Sequence, residues 1–189
     1  TSHGGADFTA LCEALAAEGY LFGALEMDAA AFTPQSRPRV FVVATRSPPA
    51  ADLQGPCDFH SRAVREAAAR LPTSLAARWI WWRLATPPTR NTDLAALLEP
   101  DEAVVWRSPA QTETLAAQMS PLHRQRFEAE QAARGRAIGA VYRRIRVEQG
   151  VRVQRAEVRL DGLAGCLRTP AGGSSRQMIL VGDEGGLRS

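Results

Sequence analysis

Tyr20–Arg46, "YLFGALEMDAAAFTPQSRPRVFVVATR", is the stretch on which the architecture turns. Tyr20–Met27 reads as a strand interrupted by Gly23, and Asp28–Phe32 as a connection of about one helical turn. Pro34 and Pro38 then stiffen a turn that carries Gln35, Arg37 and Arg39. It leads into Val40–Ala44, a short continuous apolar run of the kind found in buried strands. Upstream, Asp7 caps a predicted helix to about Glu18. Phe8, Leu11, Cys12 and Leu15 share one of its faces, and Gly19 stops it. The first 46 residues thus read helix, strand, turn, strand, which suits the edge of an α/β sheet. The stretch also raises a chemical question: why two cations stand on a stiffened turn at the lip of a buried strand.

Beyond Arg46, "SPPAADLQGP" (Ser47–Pro56) is a linker by composition. Helices are predicted at 61–71, 73–84, 92–98 and 111–134, the last broken at Ser120-Pro121. The 73–84 helix contains "RWIWWRL", with Trp79, Trp81 and Trp82. Exposed aromatics stack on bases, but indoles bury large apolar area, and packing is the favoured use. From Ile138 onward the pattern changes to strands at 139–147, 151–160 and 177–182. A polar, glycine-rich loop, "DGLAGCLRTPAGGSSRQ" (Asp161–Gln177), joins the last two. No internal repeat is present. The predicted division is 1–46, a linker at 47–60, and 61–189.

Composition narrows the function classes. At 189 residues the chain can bury one sizeable core or two small ones. No apolar run is long enough to span a bilayer, and "TSHGGADF" does not read as a signal peptide. Cys12, Cys57 and Cys166 lie far apart without a CxxC pair, which points to a reducing, cytoplasmic setting rather than a disulfide framework. His3, His60 and His123 are equally scattered, without metal-ligand spacing, so no metal is expected. Every fixed basic side chain is an arginine. Residues 1–123 carry 10 Arg against 13 Asp and Glu, whereas residues 124–176 carry 12 Arg against 5, a local net of +7. Arginine forks suit phosphate and guanine edges, so this third of the chain hints at nucleic acid. A solvated face is the plainer alternative.

Three motifs carry candidate chemistry. "YRRIRVEQGVRVQRAEVRLDG" alternates, and Arg144, Arg146, Arg152, Arg155 and Arg159 predict a hairpin with one arginine-lined face. That face is either the polar side of an ordinary sheet or a phosphate-tracking surface, and the arginine density favours the second. "GGSSRQ" (Gly172–Gln177) offers backbone and hydroxyl donors with one arginine, for phosphate or for a groove. It has neither Walker nor Rossmann spacing, and a plain surface loop fits it too. "GPCDFHS" (Gly55–Ser61) sets Cys57 near His60, but Asp58 follows directly, and an inert cysteine is the favoured reading.

The ordered run from Ala14 to Arg46 resembles the DNA cytosine-5 methyltransferase family: a helix, a Gly-Tyr strand, then Gln35-Ser36-Arg37-Pro38-Arg39 leading into a hydrophobic strand. "RAEVRLDGLAGCLRTPAGGSSRQMILV" (Arg155–Val181) is similar to the end of the target-recognition domain in a bacterial branch of that family. The resemblance implies the C-terminal edge of a Rossmann-like methyltransferase sheet followed by a smaller α+β recognition domain. It implies double-stranded DNA as partner and S-adenosylmethionine as the parent protein's methyl donor. Gln35, Arg37 and Arg39 would line the cytosine pocket, with Arg39 towards the flipped base and Arg37 holding backbone or the catalytic loop. The hairpin arginines would contact phosphates. Arg168, Thr169, Ser174, Ser175, Arg176 and Gln177 would read bases.

The family's Pro-Cys-Gln nucleophile loop, Glu-Asn-Val strand and glycine-rich cofactor loop are not in this sequence. "PCDF" around Cys57 lacks the glutamine and follows the arginine turn, where the family has it before. The chain therefore resembles an internal piece of such an enzyme, expected to be inactive alone and to bind no cofactor. A non-catalytic DNA-binding module, or a degenerate relative, is the rival expectation.

Overall fold

A computed structural model of the chain describes residues 2–167 and 176–189. It is mixed α/β with two antiparallel sheets, one two-stranded and one four-stranded, the latter ordered 151–159, 137–148, 178–183, 186–188. Contacts divide it into two units, residues 1–31 with 38–88 and residues 32–37 with 89–189. This division does not follow the boundaries expected at 46 and 61.

In the first unit, α1 (Ala6–Ala17) leads into β1 (Leu21–Asp28), a single 3₁₀ turn at Ala29–Ala31, and β2 (Pro38–Thr45). β1 pairs with β2 from Leu21↔Thr45 to Asp28↔Pro38. α2 (Arg62–Ala69) and the single turn α3 (Thr73–Ala76) follow. Ser61 caps α2 by accepting from the Val64 N–H, and its hydroxyl donates to Glu26 of β1. The core gathers Cys12, Phe22, Leu71 and Leu75, with Phe8, Leu15, Ala44 and Trp79 packed against it.

Two expectations fail here. The predicted 73–84 helix ends at Ala76, and the tryptophan segment is extended. Its backbone pairs with β1 through Phe22 N–H to Arg78 O (3.0 Å) and Ile80 N–H to Phe22 O (2.7 Å). On its other side Gly55 donates to Trp81 O (2.8 Å) and Arg83 to Leu53 O (2.8 Å). Bulky aromatic residues favour this pleated setting. Gly23 explains its own place, because a Cβ there would lie 1.9 Å from Ile80 O. The missing side chain lets the third strand-like segment approach.

The second failure is β2. Its run of apolar residues predicts burial, yet Val40, Phe41 and Val43 are 53%, 47% and 40% exposed. Phe22 directs its backbone groups away from β2, towards 78–80. Its partner Ala44, and Val42 and Val40 in alternation, must therefore direct theirs to the outer edge of the sheet. Among the described residues β2 has one neighbouring strand, β1.

In the second unit, the predicted 92–98 helix reduces to a 3₁₀ turn at Ala95–Leu97. The 111–134 helix divides into α4 (Pro109–Ala117) and α5 (Pro121–Arg134). Each begins with Ser-Pro: Ser108 caps Gln111 N–H and Ser120 caps His123 N–H, with proline in the first turn, where no intrahelical donor is lost. β3 (Ala137–Glu148), β4 (Val151–Arg159), β5 (Met178–Asp183) and β6 (Gly186–Arg188) form the sheet. Phe127 of α5 sits over Gly139 and Gly182, where added Cβ atoms would meet its ring at 3.4 and 2.7 Å. Around it pack Leu115, Met119, Val141, Ala156, Val158 and Leu180. No helix among the described residues is long and apolar enough to cross a membrane.

Candidate nucleic-acid interface

β3 is longer than the sheet behind it. Its pairing with β5 covers only Ala137–Val141, whereas its pairing with β4 continues to Glu148↔Val151. From Tyr142 onward the hairpin is therefore a two-stranded ribbon, about 20 Å long at a strand's rise per residue. Gln149 and Gly150 form its turn with φ of 50° and 80°, the left-handed pair that a two-residue hairpin demands. Residues Arg144, Ile145, Arg146, Val147, Glu148, Val151 and Arg152 are all exposed.

The register sorts the arginines. Tyr142↔Glu157, Arg144↔Arg155 and Arg146↔Val153 share one face, and Arg159 lies on the same face at the base. Arg152 stands opposite Val147, on the other face, with Arg143. The expectation of one arginine-lined face thus holds for Arg144, Arg146, Arg155 and Arg159 and fails for Arg152. The physical reason is parity: 152 and 155 are three positions apart, an odd number, so their side chains point to opposite sides of the pleat.

The arginine face is internally paired. Arg146 Nε donates to Glu157 (2.8 Å), Arg144 lies 3.8 Å from the same carboxylate, and the Tyr142 hydroxyl also donates to it (2.7 Å). Arg155 Nε donates to Glu148 (2.7 Å), and Arg159 grips Asp161 (2.6 Å). The Arg155 hydrogen bond holds the Glu148 carboxyl below its ordinary range, and Arg159 does the same for Asp161. Burial pushes Glu157 up, but Tyr142, Arg146 and Arg144 together outweigh it, and the net shift is down. Four cations thus share this face with three carboxylates.

The turn residues of the first stretch separate. Arg39 is the second residue of β2, opposite Met27 in the first unit, and its Nη1 donates to Pro38 O (2.7 Å). Gln35 and Arg37 belong to the second unit. Gln35 bridges Ala164, Ser36 N–H donates to Ala164 O (2.9 Å), Ala164 N–H donates to Pro34 O (2.8 Å), and Arg37 Nη1 donates to Leu167 O (3.1 Å). An isolated bridge thus ties Pro34–Arg37 to Ala164–Leu167, the stem that precedes residue 168. On the far side of the loop, Gln177 Oε1 accepts from Gly165 N–H (3.1 Å), so that side chain closes the stem. Arg176 is exposed beside it. Arg168, Thr169, Ser174 and Ser175 lie outside the described residues. Sequence reasoning missed the stem pairing, and only the in-order spacing of turn and loop could have signalled it.

Among the described residues no group of three or more His, Cys, Asp or Glu side chains is placed to hold a metal ion. No protein-family model, curated protein or solved structure gives a significant match to the chain.

Proposed function

We propose that this chain is part of a DNA cytosine-5 methyltransferase, supplying the C-terminal edge of a Rossmann-like catalytic sheet and a DNA-recognition domain. One observation carries this reading. An arginine turn of the form Gln-x-Arg-x-Arg leads directly into an apolar strand, β2, that has an open edge and exposed Val40, Phe41 and Val43. Such a strand suits the inside of a larger sheet, with the turn delivered to that sheet's rim. The turn's proline-fixed backbone reduces the ordering entropy that a site pays on assembly.

Each group then has a defined task. Arg39 donates to the extruded cytosine, because a base must leave the stack before chemistry at its ring. Arg37 and Gln35 brace the stem of the loop that ends at Gln177. Arg144, Arg146, Arg155 and Arg159 exchange their carboxylate partners for phosphates. The ribbon's dimensions suit a major groove, which admits two strands. Arg176, with residues 168, 169, 174 and 175, reads base edges. S-adenosylmethionine supplies the methyl group in such an enzyme. No described strand runs through a glycine-rich turn into a helix, so no residue of this chain is assigned to hold it.

The test uses the full-length protein, duplex DNA and labelled S-adenosylmethionine. Arg39→Ala should lower turnover by about 1.5–3 kcal/mol in the barrier, the scale of a lost charge-assisted hydrogen bond, while DNA affinity changes little. Equal turnover for mutant and wild type removes Arg39 from the pocket. Tight DNA binding with no 5-methylcytosine formed by the wild type leaves a non-catalytic DNA-binding module.

A further inference from the structure

Gly55–His60, part of the stretch expected to be a linker, folds around a cavity of about 290 Å³ within the first unit. Gly55, Pro56, Cys57, His60, Arg65 and Trp81 line it. The lining is almost wholly apolar, with a thiol and one guanidinium as its chemical handles. Trp81 is 38% exposed and meets the His60 ring edge-on at 4.9 Å. Arg65 is exposed and donates to His60 O. Cys57 is half-buried, unbridged, and donates to Trp82 O at 3.4 Å.

The histidine geometry excludes two readings of this site. Cys57 N–H donates to His60 Nδ1 at 3.3 Å, so the neutral ring carries its proton on Nε2, the atom that faces Sγ at 3.9 Å. Nε2 therefore has no lone pair with which to take the thiol proton, and a thiol–imidazole catalytic pair does not form. A metal between Sγ and Nε2 would need a doubly deprotonated ring. His60 is only 4% exposed, and its burial, aided by Arg65, keeps it in the neutral form.

What remains is a thiol in an aromatic-walled cavity with a cation on its wall. We propose that Cys57 is a covalent modification site for small disulfides that carry an aromatic ring and an acid group. The ring lies against Trp81 and Pro56, and the acid meets the Arg65 fork. The cavity is close to the lower limit of small-molecule pockets, which admits a one-ring body. The reaction is thiol–disulfide exchange. Cys57 loses its proton to solvent, the sulfur attacks one reagent sulfur, a new S–S bond forms, the reagent's S–S bond breaks, and the second thiolate leaves with the electron pair. No other oxidant is needed. Cys12 offers a built-in control: it is fully buried, and burial, with Glu13, pushes its thiol up to about 11. Cys166, also partly exposed, controls for plain accessibility.

The experiment treats the 189-residue chain with dithiobis(nitrobenzoate), with uncharged dithiodipyridine and with an uncharged aliphatic disulfide, and locates adducts by peptide mass spectrometry. The acidic aromatic reagent should label Cys57 roughly ten times faster than Cys166, the ratio given by about 1.4 kcal/mol of binding. Arg65→Gln should slow that reagent at Cys57 several-fold without slowing dithiodipyridine, and Trp81→Ala should slow both aromatic reagents and spare the aliphatic one. Labelling of Cys12 reports loss of the fold. If Arg65→Gln shows it, Arg65→Lys takes its place and should retain the preference for the acidic reagent. Equal labelling of Cys57 and Cys166, an Arg65→Gln rate unchanged in a folded chain, or an acid preference lost in Arg65→Lys overturns the proposal.

Discussion

The β1–β2 pair and the β3–β4 ribbon are both antiparallel hairpins with exposed apolar side chains, yet only the ribbon sets charges between them. β2 shows water Val40, Phe41 and Val43, with no charge between Val40 and Thr45 to protect its edge. The ribbon shows water Arg144, Arg146, Glu148 and Arg152, interleaved with Ile145, Val147 and Val151. An apolar edge has no partner of its own and calls for another layer. A charged ribbon can pair with itself, and here Arg144, Arg146 and Arg155 do so with Glu157 and Glu148. In the first case no described strand pairs with the outer edge of β2. In the second, on the proposed DNA-binding reading, a phosphate has to displace those carboxylates.

The most severe way to break the comparison is at the glycines that set each pair's packing. Gly23→Val drives a Cβ into a backbone oxygen at 1.9 Å and should cost about 3 kcal/mol or more. Gly139→Ala meets a Val158 methyl at 2.4 Å, a side-chain atom rather than backbone, and should cost less. Denaturant midpoints decide it, and a larger loss for Gly139→Ala would show that the first unit does not depend on its third segment.

Next in size is salt. If the four arginines of one face neutralise phosphates, the logarithm of duplex DNA affinity should fall with the logarithm of salt at a slope of roughly −3 to −4. A flat response restores the solvated-face reading. Arg155→Ala and Arg152→Ala, on opposite faces, should then differ in affinity loss, because one face at a time can meet a groove wall. Equal losses would mean that the ribbon does not dock by a face.

A smaller effect tests the competition directly. Glu148→Gln and Glu157→Gln each remove a rival for the same guanidinium groups. Each should tighten duplex binding roughly two- to five-fold, the scale of an exposed ion pair, and steepen the salt slope. Weaker binding in both variants would mean that these pairs pre-organise the arginines rather than occupy them.

The smallest effect separates the units by acid. His60 has a lowered pKa from burial, so its contribution is complete above the ordinary histidine value of 6.5 and is lost as pH falls below it. Glu148, Glu157 and Asp161 also have lowered values, so theirs persists above the ordinary carboxylate range and is lost only as pH falls through and below that range. Hydrogen exchange followed by mass spectrometry should therefore show α2 and the His60 segment loosening at a higher pH than the ribbon. Simultaneous loosening would sink this assignment.

Local chemistry made much of this legible. Helix α1, both strands of the first hairpin and the three long strands near the end follow from spacing alone. The ribbon's turn, Gln149-Gly150, even contains the answer to the Arg152 question, since a two-residue loop fixes which residues oppose each other. What spacing did not reveal depends on distant partners. Trp79–Arg83 has helical-looking neighbours, but the free backbone of Phe22 claims it as a strand. The exposure of β2 is invisible in an apolar run, which records what a strand needs and not what covers it. The ion pairs of Glu157 were hidden because a cross-strand contact spans eleven or more positions in the chain.

The bond from Arg37 to Leu167 closes a span of 130 residues. Bringing such distant points together costs on the order of 4 kcal/mol of chain entropy before any contact repays it. The hairpin ends on either side, β1 and β2, are local and can form in microseconds. During synthesis the turn at Pro34–Arg37 therefore emerges early and waits for Ala164–Leu167 to leave the ribosome. The stem closes across this span of 130 residues, and a slow refolding phase should belong to it.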